Sequence, residues 1–237
     1  MTAAPELRII PVTGLPEITR GADLAGLICG ATELLDGDVV VVTQKVVSKA
    51  EGAVEPVDPS DPLSHKVIVE RESVRVLRRR GELVISETRH GFVCANAGVD
   101  LSNVQAGTAA LLPEDSDRSA RRIRDGIRAR SGVTVGVVVS DTFGRPWRRG
   151  VTDVAIGSAG VRPVLDLRGT NDAYGRELAV TEVAVVDEIA AAAELVMGKA
   201  TGVPVAVVRG LDPAVLCDEP ASVRDDLLRP AADDLFR

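Results

Sequence analysis

Aromatic side chains are nearly missing from this chain: three Phe, one Trp and one Tyr make up 2% of its 237 residues. Binders of single-stranded nucleic acid stack bases on aromatic platforms, so that class is disfavoured. A basic field for duplex phosphate is missing too, because the formal net charge is −7. An anionic ligand would therefore have to be met by a local cluster of cations. The three cysteines, Cys29, Cys94 and Cys217, are odd in number and far apart. They show neither metal-ligand spacing nor a disulfide framework, and buried thiols in a reducing cytosol are the expectation. No apolar run approaches the roughly 20 residues of a membrane span, and "MTAAPELRII" has no charged segment followed by a long apolar one, so neither an anchor nor a signal peptide is expected and the location should be cytoplasmic. Walker A, G-x-G-x-x-G after a strand, H-E-x-x-H and G-x-S-x-G are all missing. The string nearest to the first, "MGKAT" at 197–201, lacks the glycine spacing and the Lys-Ser/Thr pair.

What is present is an aliphatic protein, 45% hydrophobic and 27% charged, long enough for one large domain or two small ones. "LRIIPV" (7–12) reads as a strand, 23–35 as a short helix with Asp23 as N-cap, and Val39 to Thr43 as a strand covered on both faces. "VEPVDPSDP" (54–62) is a surface loop. Helical spacing runs through 63–80 and ends in Arg78, Arg79, Arg80 and Gly81, a cationic last turn with a glycine stop. Strands follow at 82–88 and 91–95 around the turn "RHG", then a charged helix at 117–130 and a buried strand at 133–143. "VTDVAIGSAG" and "VRPVLDLRG" suggest strand–turn units, 180–199 an Ala-rich helix, and 203–210 a last strand. Strands, helices and hairpin-like pairs without regular alternation indicate an α+β fold.

Two segments carry the chemistry. "ANAGVDLSN" (95–103) and "SDTFGRPWRRG" (140–150) each place an aspartate, Asp100 or Asp141, at the end of an apolar stretch among small polar side chains. The second adds Arg145, Arg148 and Arg149 and the only tryptophan, Trp147. A carboxylate beside cations in a Gly/Pro-bearing loop suits a metal-bound phosphate, since Mg²⁺ takes one or two carboxylates and completes its shell with phosphate oxygens, and arginine forks fit such oxygens. Two solvated turns would show the same residues. In "TQKVVSKAEG" (43–52), Lys45 and Lys49 lie four apart beside Ser48. On a helical turn they share a face and could hold a phosphate, or form a solvated basic patch. His65 is expected exposed on a helix, and His90 in a turn after Arg89.

"PVTGLPEI", "DGDVVVVTQKVVSKAEG", "ANAGVDLSN", "SDTFGRPWRRG" with "VAIG", and "TEVAVVDEIAAAAELVMGKATGVPVAVVRG" follow one another in this order. Together they resemble the coenzyme F420-0:L-glutamate ligase (γ-glutamyl ligase) family over roughly residues 7–212. The resemblance implies an enzyme of coenzyme F420 biosynthesis. With GTP it would attach L-glutamate to the lactyl carboxylate of the deazaflavin F420-0 through an acyl phosphate, then add γ-linked glutamates. It implies that Asp100, Asp141 and Thr142 are ligands of two divalent cations, Mg²⁺ or Mn²⁺, with K⁺ a further candidate. Leu15, Pro16, Glu17 and Ile18 would contact the nucleotide, with Gln44, Lys49 and Asn103, and the stretch Met197, Gly198, Lys199, Ala200 and Thr201 would form a second nucleotide segment. Arg145 or Lys49 would stabilise charge developing during phosphoryl transfer. The implied architecture is a ligase domain of two subdomains over 1–212, a tail or linker over 213–237, and an intertwined homodimer with its site near the interface. In actinobacterial relatives such a domain can be fused to a nitroreductase-like flavin domain, and "RPAADDLFR" resembles the joint before it. The alternatives are a metal-dependent phosphatase or nucleotide hydrolase, and a non-catalytic nucleotide- or deazaflavin-binding module.

Overall fold

A computed structural model describes residues 6–218 and 220–234. In chain order the elements are β1 (Arg8–Val12), α1 (Leu24–Ala31), β2 (Val39–Thr43), α2 (Gln44–Glu51), β3 (Val54–Pro56), α3 (Lys66–Glu72), β4 (Ser73–Arg80), β5 (Leu83–Thr88), β6 (Val93–Ala95) and β7 (Thr108–Ala110). Then follow α4 (Ser116–Ser131), β8 (Gly136–Arg145), β9 (Arg148–Ala159), β10 (Leu165–Asp166), β11 (Glu182–Val183), α5 (Val185–Met197) and β12 (Val205–Arg209). The fold is α+β. Among the described residues no helix is long and apolar enough to cross a membrane.

A five-stranded sheet in the order β1-β12-β2-β8-β9 organises the molecule. Only β2 and β8 run parallel. Val39 to Val42 and Val137 to Val139 are buried at every position, so both faces of these strands are covered, as continuous β-branched runs require. Helices α4, α5 and α1 supply much of the cover: α4 packs on β8 and β9, α5 on β9, β12 and β1, and α1 on α4. Asp23 caps α1 by accepting from Gly26 N–H at 3.1 Å, and Gly132, at φ 76°, ends α4. At Gly157 an added Cβ would lie 2.3 Å from the Ser116 carbonyl carbon, so glycine is what lets α4 start directly on β9.

A smaller core of Ile68, Val69, Val84, Val99, Ala109 and Leu111 joins α3, the sheet β4-β5-β6 and the pair β3-β7. Here the helical spacing of 63–80 is only partly realised. The helix is Lys66–Glu72, and Ser73–Arg80 is an edge strand paired with β5. Val74 and Val76 are β-branched and fit a strand, and exposed arginines suit an edge that must not pair further. Gly81, at φ 56°, turns β4 into β5 rather than stopping a helix. His65 is half-buried at the start of α3, not exposed on it.

Past Leu211 the described residues form no long element, yet they are attached. Val215 and Val223 are buried, and the Asp117 carboxylate accepts from Ser158, Val223 and Arg224 N–H. Cys94 is buried, whereas Cys29 and Cys217 are only half-buried.

Candidate active site

The carboxyl ends of β1, β2 and the parallel stretch of β8 all point to one edge of the large sheet, where β12 begins. A cavity of about 1050 Å³ lies there, in the position where open sheets with parallel strands bind ligands. Five segments far apart in sequence supply most of its lining: Leu15 to Arg20 after β1, Thr43 to Val46 and Lys49 at the end of β2 and on α2, Asn103 to Gln105, Ser140 to Thr142 with Asp153 on the β8–β9 hairpin, and the stretch after α5.

The residues expected to hold nucleotide converge on it. Leu15, Pro16, Glu17, Ile18, Gln44, Lys49, Asn103, Met197, Gly198, Lys199 and Ala200 all form its wall. Thr201 does not; its hydroxyl donates to the Met197 carbonyl and closes the end of α5. Lys45 and Lys49 share a face of α2 as their spacing suggested, but each is paired with a carboxylate. Lys45 Nζ lies 2.8 Å from Asp100 Oδ2 and 2.7 Å from Ser102 Oγ. Lys49 Nζ lies 2.5 Å from Glu17 Oε1. Gln44 is buried. Its amide donates to Ser48 Oγ and the Leu111 carbonyl, and its Oε1 is left without a partner.

The two aspartates reach the site by different routes. Asp100 belongs to an irregular loop. Asn96, Ala97 and Asn103 have φ of 49°, 52° and 56°, a conformation that side chains other than glycine occupy at a cost. The loop is held by the Asp100–Ala110 bridge and by Asn96 Oδ1, which accepts from Val84 N–H at 3.2 Å. Asp141, by contrast, is not at a strand end. "SDTFGRPWRRG" is no loop, because β8 continues to Arg145 and turns through Pro146 and Trp147 into β9. Proline at the first central position and Trp147, at φ 56°, at the second give the φ pattern of a type II turn. Between Val139 and Ser140 the pairing slips by one residue, leaving Ile156 as a bulge, and bulges re-aim side chains beside sites.

The register of this hairpin sets Asp153 opposite Thr142. Sequence reasoning missed Asp153, although a lone aspartate in "VTDVAIG" facing back along a hairpin was a usable signal. It is 3% exposed and accepts from Ser140 Oγ at 2.9 Å and from the Thr142 hydroxyl. Lys199 Nζ donates to that same Thr142 oxygen.

These contacts set the charges. Asp141 opens partly to the cavity but is otherwise enclosed by protein. Burial, helped by the charges of Asp100 and Asp153, pushes its carboxyl up to about 7 against the pull of Thr142 N–H and Lys199. Burial acts in the same direction on Asp100, but Lys45 and Ser102 outweigh it and hold that carboxyl below its usual range. Cys94, buried near Asp141, is pushed up to about 12 by burial and by that carboxylate, which leaves it inert as a nucleophile.

Among the described residues no three His, Cys, Asp or Glu side chains form a cage for a metal ion. Asp141 lines the cavity and Asp100 does not, but Asp100 is near enough for its charge to act on Asp141. A divalent cation held by two carboxylates and completed by phosphate fits such a pair. Arg145 does not reach the cavity of its own chain; it lies at the far end of the hairpin with Trp147, which is 82% exposed. His90 stacks toward Phe92, with ring centroids 6.1 Å apart, and is likewise outside the cavity.

The model of the family described as F420-0:Gamma-glutamyl ligase matches residues 13–210. The chain is 45% identical over 253 positions to the coenzyme F420:L-glutamate ligase of Methanopyrus kandleri, covering all of both chains. It is 43% identical to the protein of that name from Methanothermobacter thermautotrophicus, covering 98% of this chain and 99% of the relative. The corresponding protein of Archaeoglobus fulgidus is 43% identical over 88% of this chain and 89% of its own.

Proposed function

The chain belongs to the F420-0:Gamma-glutamyl ligase family, and from that premise we propose that it is a GTP-driven ligase joining L-glutamate to coenzyme F420-0 and then adding γ-linked glutamates. The observation that carries this reading is the convergence of five separate segments, the β8–β9 hairpin among them, on one cavity at the carboxyl ends of β1, β2 and the parallel stretch of β8. Helix α2 begins at that cavity, so the N–H groups of its first turn and the positive end of its dipole favour an anion there. Lys45 and Lys49 stand on the same helix as exchangeable cations, each able to leave its carboxylate for a phosphate oxygen.

Amide formation from a carboxylate and an amine is uphill in water. A carboxylate oxygen of F420-0 attacks the terminal phosphorus of GTP, the bond to GDP breaks, and an acyl phosphate forms. The amine of L-glutamate then attacks the acyl carbon, phosphate leaves, and the amine loses a proton. The protein's task in the first step is to position the two reactants and offset charge. Lys49 and the start of α2 hold the phosphates, and the 15–18 and 103–105 segments close around the nucleotide. Asp100 and Asp141 would hold a divalent cation, Mg²⁺ or Mn²⁺, which when bound neutralises phosphate charge. Asp153 positions Thr142 and Ser140 behind Asp141. No serine or cysteine nucleophile is needed, in keeping with the inert Cys94 thiol. Arg145, outside the cavity of its own chain, is given no part in this transfer.

We further propose a homodimer. Trp147 and Val151, on the projecting end of the β8–β9 hairpin, are 82% and 60% exposed, and an apolar projection of this kind suits an isologous contact.

The test is product analysis. Incubation with F420-0, GTP, Mn²⁺ and L-glutamate should give glutamylated F420, GDP and phosphate in step, with mass spectrometry reading the first. Phosphate release without the glutamylated product would replace the ligase by a nucleotide hydrolase. Binding without any turnover would leave a nucleotide-binding module.

A further inference from the structure

We infer that the Lys199 ammonium occupies the Thr142 side of the cavity floor as a built-in monovalent cation, so that each chain takes one divalent cation, at Asp100 and Asp141, and not two. The inference rests on the proposed reading only in that nucleotide phosphate completes the cation's shell.

Asp141 and Asp153 line this floor, Asp100 acts on Asp141 from beside it, and their partners divide the three. Asp153 is 3% exposed, and both its oxygens are taken, one by Ser140 Oγ at 2.9 Å and the other by the Thr142 hydroxyl. It is a hydrogen-bond acceptor built into the hairpin, not an open ligand. The Thr142 oxygen has one hydrogen and two lone pairs. The hydrogen goes to Asp153 and one lone pair accepts from Lys199 Nζ. Lys199 also acts electrostatically on Asp141, so the Thr142 side already carries a positive charge. A divalent ion there would stand beside an ammonium. Glu17 and Glu194 are the remaining carboxylates on the wall; Glu17 is paired with Lys49, and among the described residues neither joins a group of three acidic side chains that could hold an ion. Asp100 differs, because its pairing with Lys45 can be exchanged for a cation while Lys45 turns to phosphate.

The backbone holds Lys199 in place. Gly198 and Gly202, at φ 60° and 72°, bracket the segment. Thr201 ties back to the Met197 carbonyl, and Asn103 Nδ2 donates to the Lys199 carbonyl at 3.4 Å.

The experiment is a count of bound Mn²⁺ per chain. Electron paramagnetic resonance of free Mn²⁺ is followed in the presence of a non-hydrolysable GTP analogue, for the whole chain, for Lys199→Gln and for Lys199→Arg. Lys199 is exposed, and thermal melts confirm that the variants fold. The expected counts are one for the unaltered chain, two for Lys199→Gln, which frees the Thr142 oxygen and adds an amide oxygen, and one for Lys199→Arg. Two ions in the unaltered chain, or one in Lys199→Gln, would overturn the inference and leave the ligase reading intact. No bound ion in any of the three would overturn the Asp100–Asp141 assignment itself, and the inference with it.

Discussion

Asp100 is carried by a loop and Asp141 by a strand, and the two carboxylates behave as opposites in consequence. Lys45 and Ser102 hold the Asp100 carboxyl below its usual range. Burial, with the charges of Asp100 and Asp153, pushes Asp141 up to about 7. One position supplies a charge that is already paired, the other a charge that is costly until something positive arrives. On the proposed reading, such a site would bind a cation strongly only when phosphate comes with it.

The comparison is broken most severely at Asp141. Asp141→Asn should lower glutamylation by about 100-fold or more, the scale on which loss of one transition-state charge partner is felt. The metal-free protein should melt no earlier than the unaltered chain at pH 8, because a buried charge has been removed. Activity within a few-fold, measured at saturating Mn²⁺, would show that Asp141 holds no cation.

Lys49→Ala comes next. Losing one charge-assisted contact costs about 1.5–3 kcal/mol, or about 10- to 100-fold in the KM for GTP, with the KM for glutamate little changed. Steady-state kinetics with each substrate varied in turn would contradict this by showing equal rises in both. Asp100→Asn should be milder, about tenfold in the Mn²⁺ needed for half-maximal rate, because an amide oxygen remains and Lys45 is released toward the phosphates. A loss as deep as that of Asp141→Asn would erase the distinction between loop and strand.

The pH dependence separates the two carboxylates without mutation. Below about 7 Asp141 takes up a proton that a cation must displace, so Mn²⁺ affinity should fall by about tenfold per unit as the pH drops further. Stability of the metal-free protein runs the other way. The native state holds this proton more tightly than the unfolded chain, whose carboxyl lies near 3.8, so the stabilising contribution is complete below that value and is lost as the pH rises through about 7. Melting curves and Mn²⁺ titrations at pH 6 and 8 check both signs. The smallest effect is expected at the hairpin's far end, where Arg145→Ala should change turnover by less than about threefold, within the range typical of surface substitutions. A collapse of activity would bring a partner chain's hairpin into the site.

Much of this was legible in the residues. The Val-rich runs at 39–43 and 133–143 and the Ala-rich run at 180–199 could only be buried strands and a helix, because composition and period agree. Asp100 and Asp141 stood out because polar and small residues interrupt apolar runs there, whereas the 15–18 and 197–201 segments were marked only by the resemblance to the ligase family. Three features were not. Ser73–Arg80 follows a helix with no break, and only pairing with β5 decides for a strand. "RPW" looks like a loop because proline and a bulky residue at positive φ are unusual hairpin chemistry. Lys199 meets Thr142 through packing between positions 57 residues apart, which no local pattern records, whereas Asp153 faces Thr142 within one hairpin.

The central claim is that this cavity couples phosphoryl transfer to amide formation. The most direct measurement uses F420-0 labelled with heavy oxygen in its lactyl carboxylate, incubated with GTP and L-glutamate. The account predicts that one labelled oxygen leaves in the released phosphate, and glutamylated product bearing unlabelled phosphate beside it would contradict the acyl phosphate route.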